Sequence, residues 1–283
     1  MNNVVNGFLH FIGAFNCPPV ATRRPPEKTS RFAAIADRFT SLAQVQQALR
    51  AAGLEVSQMI VGIDFTKSNT YNGKHSFGDR SLHDTVCNSN GILNPYQRAL
   101  DIIGRTLEPF DEDHEIPVFG FGDSVTTDRA VFPLKADGSP CFGLVEIHGR
   151  YNEIASQIVL SGPTSFVPLI RRAIEIVTST RQYHILVILT DGEVSDPDAT
   201  GRAIVEASFY PLSIIAIGVG DADFSTMHEY DDELPDRRFD NFQFVEFKRV
   251  VNERTENPDV AFAVAALQEI PDQYQAIKAL KLL

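Results

Sequence analysis

Met59-Ile60-Val61-Gly62-Ile63-Asp64 is followed at once by Phe65-Thr66-Lys67-Ser68-Asn69. The first six residues form an apolar run rich in β-branched side chains and closed by an acid. The next five begin a polar loop. Apolar side chains on both alternating faces imply a strand covered on both sides, as in a parallel sheet. His184 to Thr190 (His-Ile-Leu-Val-Ile-Leu-Thr) repeats the form and runs into Asp191-Gly192. Leu212 to Val219 repeats it again and runs into Gly220-Asp221. Ile116 to Phe121 and Phe242 to Phe247 are further strand candidates.

Amphipathic helices separate these strands. Phe166, Leu169, Ile170, Ala173, Ile174 and Val177 fill the i, i+3, i+4, i+7, i+8, i+11 template without a gap. Tyr96, Ala99, Leu100, Ile103 and Leu107 mark a second helix. Ser41-Leu42-Ala43-Gln44 has the form of a capping box, Leu42, Val45 and Leu49 follow at helical spacing, and Gly53 ends that helix. Further helices are expected at about 151–160, 197–208 and 258–268. Strands alternating with helices predict an α/β fold: a doubly wound, mostly parallel, Rossmann-like central sheet flanked by helices. Residues 1–31, with Cys17-Pro18-Pro19 and Arg23-Arg24-Pro25-Pro26, read as a poorly ordered extension, and residues 32–283 as one domain.

Composition narrows the function. The chain has 283 residues and a net charge of −12, which disfavours nucleic-acid binding because such a chain cannot neutralise phosphates. Its three cysteines are far apart with no C-x-x-C pair, which excludes a disulfide framework and a zinc finger or RING and suits a reducing compartment. The apolar segment Phe8–Phe15 is far shorter than a membrane span and has no cationic segment before it, so neither membrane insertion nor export is expected. With Asn at position 2, N-myristoylation is not expected. The expected location is intracellular, in cytoplasm, nucleus or both.

Ligands of open α/β sheets bind beyond the carboxyl ends of the strands. The residues placed there are Asp64, Thr66 and Ser68 after the first strand, Thr164 before the strongest helix, and Asp191 after His184–Thr190. Asp64, Thr66 and Ser68 alternate, so one carboxylate and two hydroxyls can face the same way. Thr164 adds a hydroxyl and Asp191 a second carboxylate. An all-oxygen set suits one hard divalent cation, Mg²⁺ first, with Mn²⁺ or Ca²⁺ as alternatives. Two carboxylates balance the ion's charge and leave it able to accept another carboxylate.

Asp64-x-Thr66-x-Ser68, with Thr164 and Thr190-Asp191-Gly192, resembles the metal-ion-dependent adhesion site (MIDAS) of von Willebrand factor A domains. Ile63-Asp64-Phe65-Thr66-Lys67-Ser68-Asn69, Asn94-Pro95-Tyr96, Phe119-Gly120-Phe121-Gly122-Asp123, Ser161-Gly162-Pro163-Thr164-Ser165 and Phe239-Asp240-Asn241-Phe242-Gln243-Phe244 resemble the copine family. Pro109-Phe110-Asp111-Glu112-Asp113 and Glu269-Ile270-Pro271-x-x-Tyr274-Gln275 are similar to its plant-type branch, RING ubiquitin ligases that carry a copine A domain. The resemblance runs from about Phe32 to Leu283. It implies that Thr66 and Ser68 bind the ion directly, Thr164 directly when a partner is engaged, and Asp64 and Asp191 largely through water. The implied partner is a protein with an exposed Asp or Glu, and ubiquitin-pathway proteins are a second class. Neither C2 domains nor a RING are expected in the chain, so it is read as a binding module and not as an enzyme.

Plainer roles compete at each position. Asp64 could cap a turn. Thr164 and Ser165 suit the N-cap of the next helix as well. Lys67 reads as a solvated side chain and Asn69 as a tie within the loop. Gly120-Phe121-Gly122 and Gly218-Val219-Gly220 do not continue as G-x-G-x-x-G and read as tight strand exits. The acidic runs Asp111–Glu115 and Glu229–Glu233 read as solvated loops. The alternative function is an Mg²⁺-dependent, phosphatase-like hydrolase with Asp64 as nucleophile. That chemistry needs an acid two residues on, where this chain has Thr66.

Overall fold

The computed structural model describes residues 41–86, 91–251 and 255–283. The expected N-terminal extension, and the start of the domain up to residue 40, lie outside the described residues. Helix α1 (Leu42–Ala51) precedes strand β1 (Gln58–Asp64), and α2 (Pro95–Leu107) leads to β2 (Glu115–Ile116), β3 (Val118–Phe121), β4 (Phe132–Pro133) and β5 (Cys141–Phe142). Then come α3 (Gly143–Ala155), α4 (Val167–Thr180), β6 (His184–Thr190), α5 (Pro197–Ala207), β7 (Leu212–Gly218) and α6 (Ser225–Asp232). The chain continues through β8 (Phe242–Glu246), α7 (Phe247–Val250), α8 (Pro258–Leu267) and α9 (Ile270–Ala279).

Six strands form one sheet in the order β4-β3-β1-β6-β7-β8, parallel throughout except for the antiparallel edge strand β4. Every residue of β1, β6 and β7 is buried. Alternate side chains feed two cores. Val61, Ile63, Val187, Leu189 and Ile217 pack with residues of α1, α2, α3, α8 and α9. Ile60, Leu186, Ile188, Ile214 and Ala216 pack against α4, α5 and α6. Removing each such valine, leucine or isoleucine side chain from water contributes roughly 1.5–3 kcal/mol, which is why the strands carry no polar face.

The expected doubly wound sheet is present, with local differences. Pro117 has no N–H for the ladder and separates β2 from β3, where a single strand over 116–121 was expected. The helix expected near 151–160 runs instead over Gly143–Ala155, and its buried stripe is only Ile147 and Tyr151. The acidic run Glu229–Glu233 lies mostly in α6 and is not a loop. Among the described residues no helix is long and apolar enough to cross a membrane.

Candidate metal centre

After β1 the chain crosses to β3 on one side, and later returns to β6 on the other. The switch point therefore lies between the carboxyl ends of β1 and β6. Ile63 pairs with Leu189, so Asp64 and Thr190 end adjacent strands side by side. The Thr190 hydroxyl donates to Asp64 Oδ2 at 2.7 Å, and the Thr66 N–H donates to Asp64 Oδ1 at 2.8 Å. The Asp64 carboxylate thus organises the loop that follows it.

That loop brings the other donors in. Thr66 Oγ1 lies 2.9 Å from Ser68 Oγ and 3.4 Å from Asp191 Oδ1. The Ser68 hydroxyl donates to Asp191 Oδ1 at 2.8 Å, and the Thr164 hydroxyl to Thr66 Oγ1 at 3.5 Å. Adjacent ligands of an octahedral ion with metal–oxygen distances near 2.1 Å are about 3.0 Å apart, and about 3.4 Å for Ca²⁺. The separations among Thr66, Ser68, Asp191 and Thr164, 2.8–3.5 Å, span that range, so these four residues are compatible with a hard dication. Three of the donors are hydroxyls, so the set is not a cluster of His, Cys, Asp and Glu, and no such metal-holding cluster of three or more occurs among the described residues.

Neighbouring segments fix the loop. Thr66 bridges Ser161 in parallel, and the Lys67 N–H donates to the Ser161 carbonyl. Gly122 has φ +81°, and a Cβ there would stand 2.4 Å from Thr66 Cγ2. Gly220 has φ +94°, and a Cβ there would stand 2.7 Å from the Asn72 carbonyl oxygen. The two glycine-bounded strand exits therefore do admit close backbones, as expected. Asn69 is the expected loop tie: its side chain donates to the carbonyls of Thr66 (3.0 Å) and Asp64 (3.3 Å) and accepts from the Tyr96 hydroxyl (2.7 Å). Lys67 is exposed. Thr164 and Ser165 do not cap the next helix. Helix α4 starts at Val167 with Phe166 at its N-cap and no side-chain cap bond, which leaves the Thr164 hydroxyl to the rim. The Gly162–Pro163 peptide beside it is cis.

Three contributors escaped the sequence reading. Asn72 donates to Asp191 Oδ2 at 3.1 Å and to the Asp191 carbonyl at 2.9 Å. His83 Nε2 lies 2.8 Å from the Asp64 carbonyl oxygen, and its Nδ1 lies 2.7 Å from the Tyr151 hydroxyl. Burial holds the His83 imidazole down at a pKa of about 3, so the ring is neutral. No spacing rule points to a histidine or tyrosine so far along the chain from Asp64.

Asp64 and Asp191 are fully buried. Burial raises the Asp64 carboxyl above its ordinary range. Burial first, and then the charge of Asp64, push Asp191 up to about 8. Two buried carboxylates that resist carrying charge together are the electrostatic setting a divalent cation relieves. Thr66, Ser68 and Thr164 line a groove of about 390 Å³, with Tyr71, Pro163 and Glu193 among its walls. A roomier groove of about 650 Å³ between α5 and α6 shares none of these residues.

The sheet and its switch point give the chain a von Willebrand factor A-type fold. The chain belongs to the copine family, whose model, described as "Copine", matches residues 81–283. It is 49% identical over 261 residues to the E3 ubiquitin-protein ligase RGLG3 of Arabidopsis thaliana, covering 87% of this chain and 70% of that protein. It is also 49% identical over 247 residues to copine family protein 1 of Caenorhabditis elegans, covering 87% of this chain but 22% of that protein. Among solved structures, the SpRpn10 VWA domain aligns over 74% of this chain and 93% of its own at 11% identity and a TM-score of 0.45, a level that does not bear on function.

Proposed function

We propose that this domain is a divalent-metal-dependent protein-binding module. It takes an exposed Asp or Glu of a partner at a rim built from Asp64, Thr66, Ser68, Thr164 and Asp191. The observation that carries the reading is the clustering of Thr66, Ser68, Thr164 and Asp191 through contacts of 2.8–3.5 Å, with the three hydroxyl residues lining an open groove. Mg²⁺ is the ion of choice, with Mn²⁺ or Ca²⁺ as substitutes, and when bound it supplies a Lewis-acidic vertex for the incoming carboxylate. Thr66 and Ser68 would hold it through their hydroxyls. Asp64, with both oxygens already engaged by Thr66 and Thr190, balances charge from beneath. Thr164, whose Oγ1 lies 3.5 Å from Thr66 Oγ1, would join when a partner docks.

The hydrolase alternative is disfavoured by the same geometry. A nucleophilic Asp64 would need an oxygen facing substrate, but the side chain is fully buried and hydrogen-bonded at both oxygens. The Cys141 thiol is buried and pushed up to about 11, which makes it unreactive. Several relatives are named E3 ubiquitin-protein ligases, and in this chain we assign the domain the role of holding partners for ubiquitination, in cytoplasm or nucleus.

The test is capture on an immobilised library of acidic peptides in Mg²⁺ and in EDTA. Binding should vanish in EDTA, in Asp64→Ala and Asp191→Ala proteins with unchanged circular dichroism, and when the peptide acid becomes an amide. Full-strength capture in chelator would refute the metal-dependent reading. Capture from a ubiquitination-competent extract, with and without Mg²⁺, would then decide the adaptor role.

A further inference from the structure

We infer that His83 is a positioning residue for the candidate metal centre. It is the last link of a directed hydrogen-bond chain that runs from the start of α2, through α3, to the carbonyl of Asp64. The inference rests on the proposed metal site and adds to it what holds the site in shape.

The direction of each link follows from the groups involved. A carbonyl oxygen can only accept, so at 2.8 Å the hydrogen sits on His83 Nε2. Nδ1 must then accept, and the Tyr151 hydroxyl donates to it at 2.7 Å. The Tyr151 oxygen accepts in turn from Asn94 Nδ2 at 3.1 Å. Asn94 is itself fixed: its Oδ1 accepts the Gln97 N–H at 2.9 Å, and the Gln97 side chain accepts the Asn94 N–H at 3.1 Å. That reciprocal pair is the capping box of α2.

A second arm leaves the same turn of α2. The Tyr96 hydroxyl donates to Asn69 Oδ1, and Asn69 donates to the carbonyls of Thr66 and Asp64. The His83 ring, which ends the first arm, is stacked on Tyr96 of the second arm at 4.3 Å and on Phe65 at 4.7 Å. Asp64, Asn69, Asn94, Tyr96 and Tyr151 are buried to within about 1% of complete, and His83 nearly so. The Asp64 carbonyl therefore receives a ring donor and an amide donor whose own positions are set by α2 and α3. Its peptide plane, and with it the entry of the chain into Phe65-Thr66-Lys67-Ser68, cannot turn without breaking both arms.

Partners one shell out from a metal typically change affinity ~10–100-fold when removed. The experiment measures the Mn²⁺ dissociation constant by electron paramagnetic resonance, with melting temperature recorded in EDTA, on the wild-type chain and three variants. His83→Phe keeps the stacked ring and removes both ring nitrogens. Tyr151→Phe removes the middle link alone. His83→Gln restores a donor at the Nε2 position.

His83→Phe should weaken Mn²⁺ about tenfold or more, Tyr151→Phe less, and His83→Gln should recover part of the loss. A folded His83→Phe protein with wild-type Mn²⁺ affinity overturns the positioning role, even if it melts lower. If His83→Phe does not fold, Tyr151→Phe decides in the same way. A wild-type chain that binds no Mn²⁺ refutes the metal site itself, which is a different failure from that of the variants.

Discussion

Replacing Gly122 with alanine should damage both the stability and the metal affinity of this domain, because one backbone approach serves both. Gly122 sits at φ +81°, where an L-residue is strained by ~1–2 kcal/mol. The added Cβ would stand 2.4 Å from Thr66 Cγ2, more than 1 Å inside the roughly 3.5–4.0 Å of a normal carbon contact. Thr66 could escape by turning about χ1, but its methyl and hydroxyl share one Cβ. Turning the methyl away carries Oγ1 off its 2.9 Å contact with Ser68 and its 3.4 Å contact with Asp191. If the backbone yields instead, overpacking adds ~1–3 kcal/mol to the strain. The sum, ~2–5 kcal/mol, lowers the melting temperature of a domain this size by roughly 5–15 °C. Mn²⁺ affinity should fall about tenfold, in the range for a disturbed site. Gly138 is the control: its φ is +77°, but nothing lies within 4 Å of its added Cβ, so Gly138→Ala bears the strain alone. The assay is differential scanning calorimetry with Mn²⁺ titration for both variants. Gly122→Ala melting no lower than Gly138→Ala, with Mn²⁺ affinity intact, would refute the reasoning.

Other expectations follow from the same geometry. The Asp191 carboxyl is raised to about 8 by burial and by the charge of Asp64. A group whose pKa is higher in the folded than in the unfolded state stabilises most below its unfolded value, and that contribution is lost as pH rises toward 8. Melting temperature in EDTA should therefore decline from about pH 5 to pH 8, and added Mg²⁺ should raise it more at pH 8 than at pH 5.5; equal Mg²⁺ responses at the two pH values would count against the buried pair. Asp191→Asn should melt higher than wild type in EDTA at pH 8 and show no Mg²⁺ response, which thermal melts read directly. Asn94→Ala removes the acceptor for the Gln97 N–H and the donor to Tyr151, and should lower stability by about 1–2 kcal/mol in urea titration; a variant within experimental error of wild type would show that the cap is dispensable.

Legibility in the sequence tracked how local the physics is. The runs of β1, β6 and β7 announce themselves because a strand covered on both faces needs apolar residues throughout. Helix α4 was legible from its period instead: Leu169, Ile170, Ala173, Ile174 and Val177, chosen by spacing, are its buried stripe. Helix α3 was misplaced because its N-cap, Phe142, carries no capping oxygen and only two of its side chains are buried. Asp64, Thr66, Ser68, Thr164 and Asp191 could be singled out because each lies near a strand end or ahead of a helix; the structure links Thr66, Ser68, Thr164 and Asp191 directly and Asp64 through the Thr66 N–H, and their binding of a metal remains our proposal. His83 and Tyr151 were missed because their roles depend on packing between distant elements, which leaves no period and no spacing in the chain.

The most direct measurement is a crystal structure grown in Mn²⁺, with anomalous scattering used to locate the ion. The account predicts a single strong peak beside Thr66 Oγ1 and Ser68 Oγ, roughly 2.1–2.3 Å from each, with the hydroxyl–Asp191 contacts rearranged around it. Saturating Mn²⁺ with no peak at that rim, or with the ion held by other residues, would contradict it.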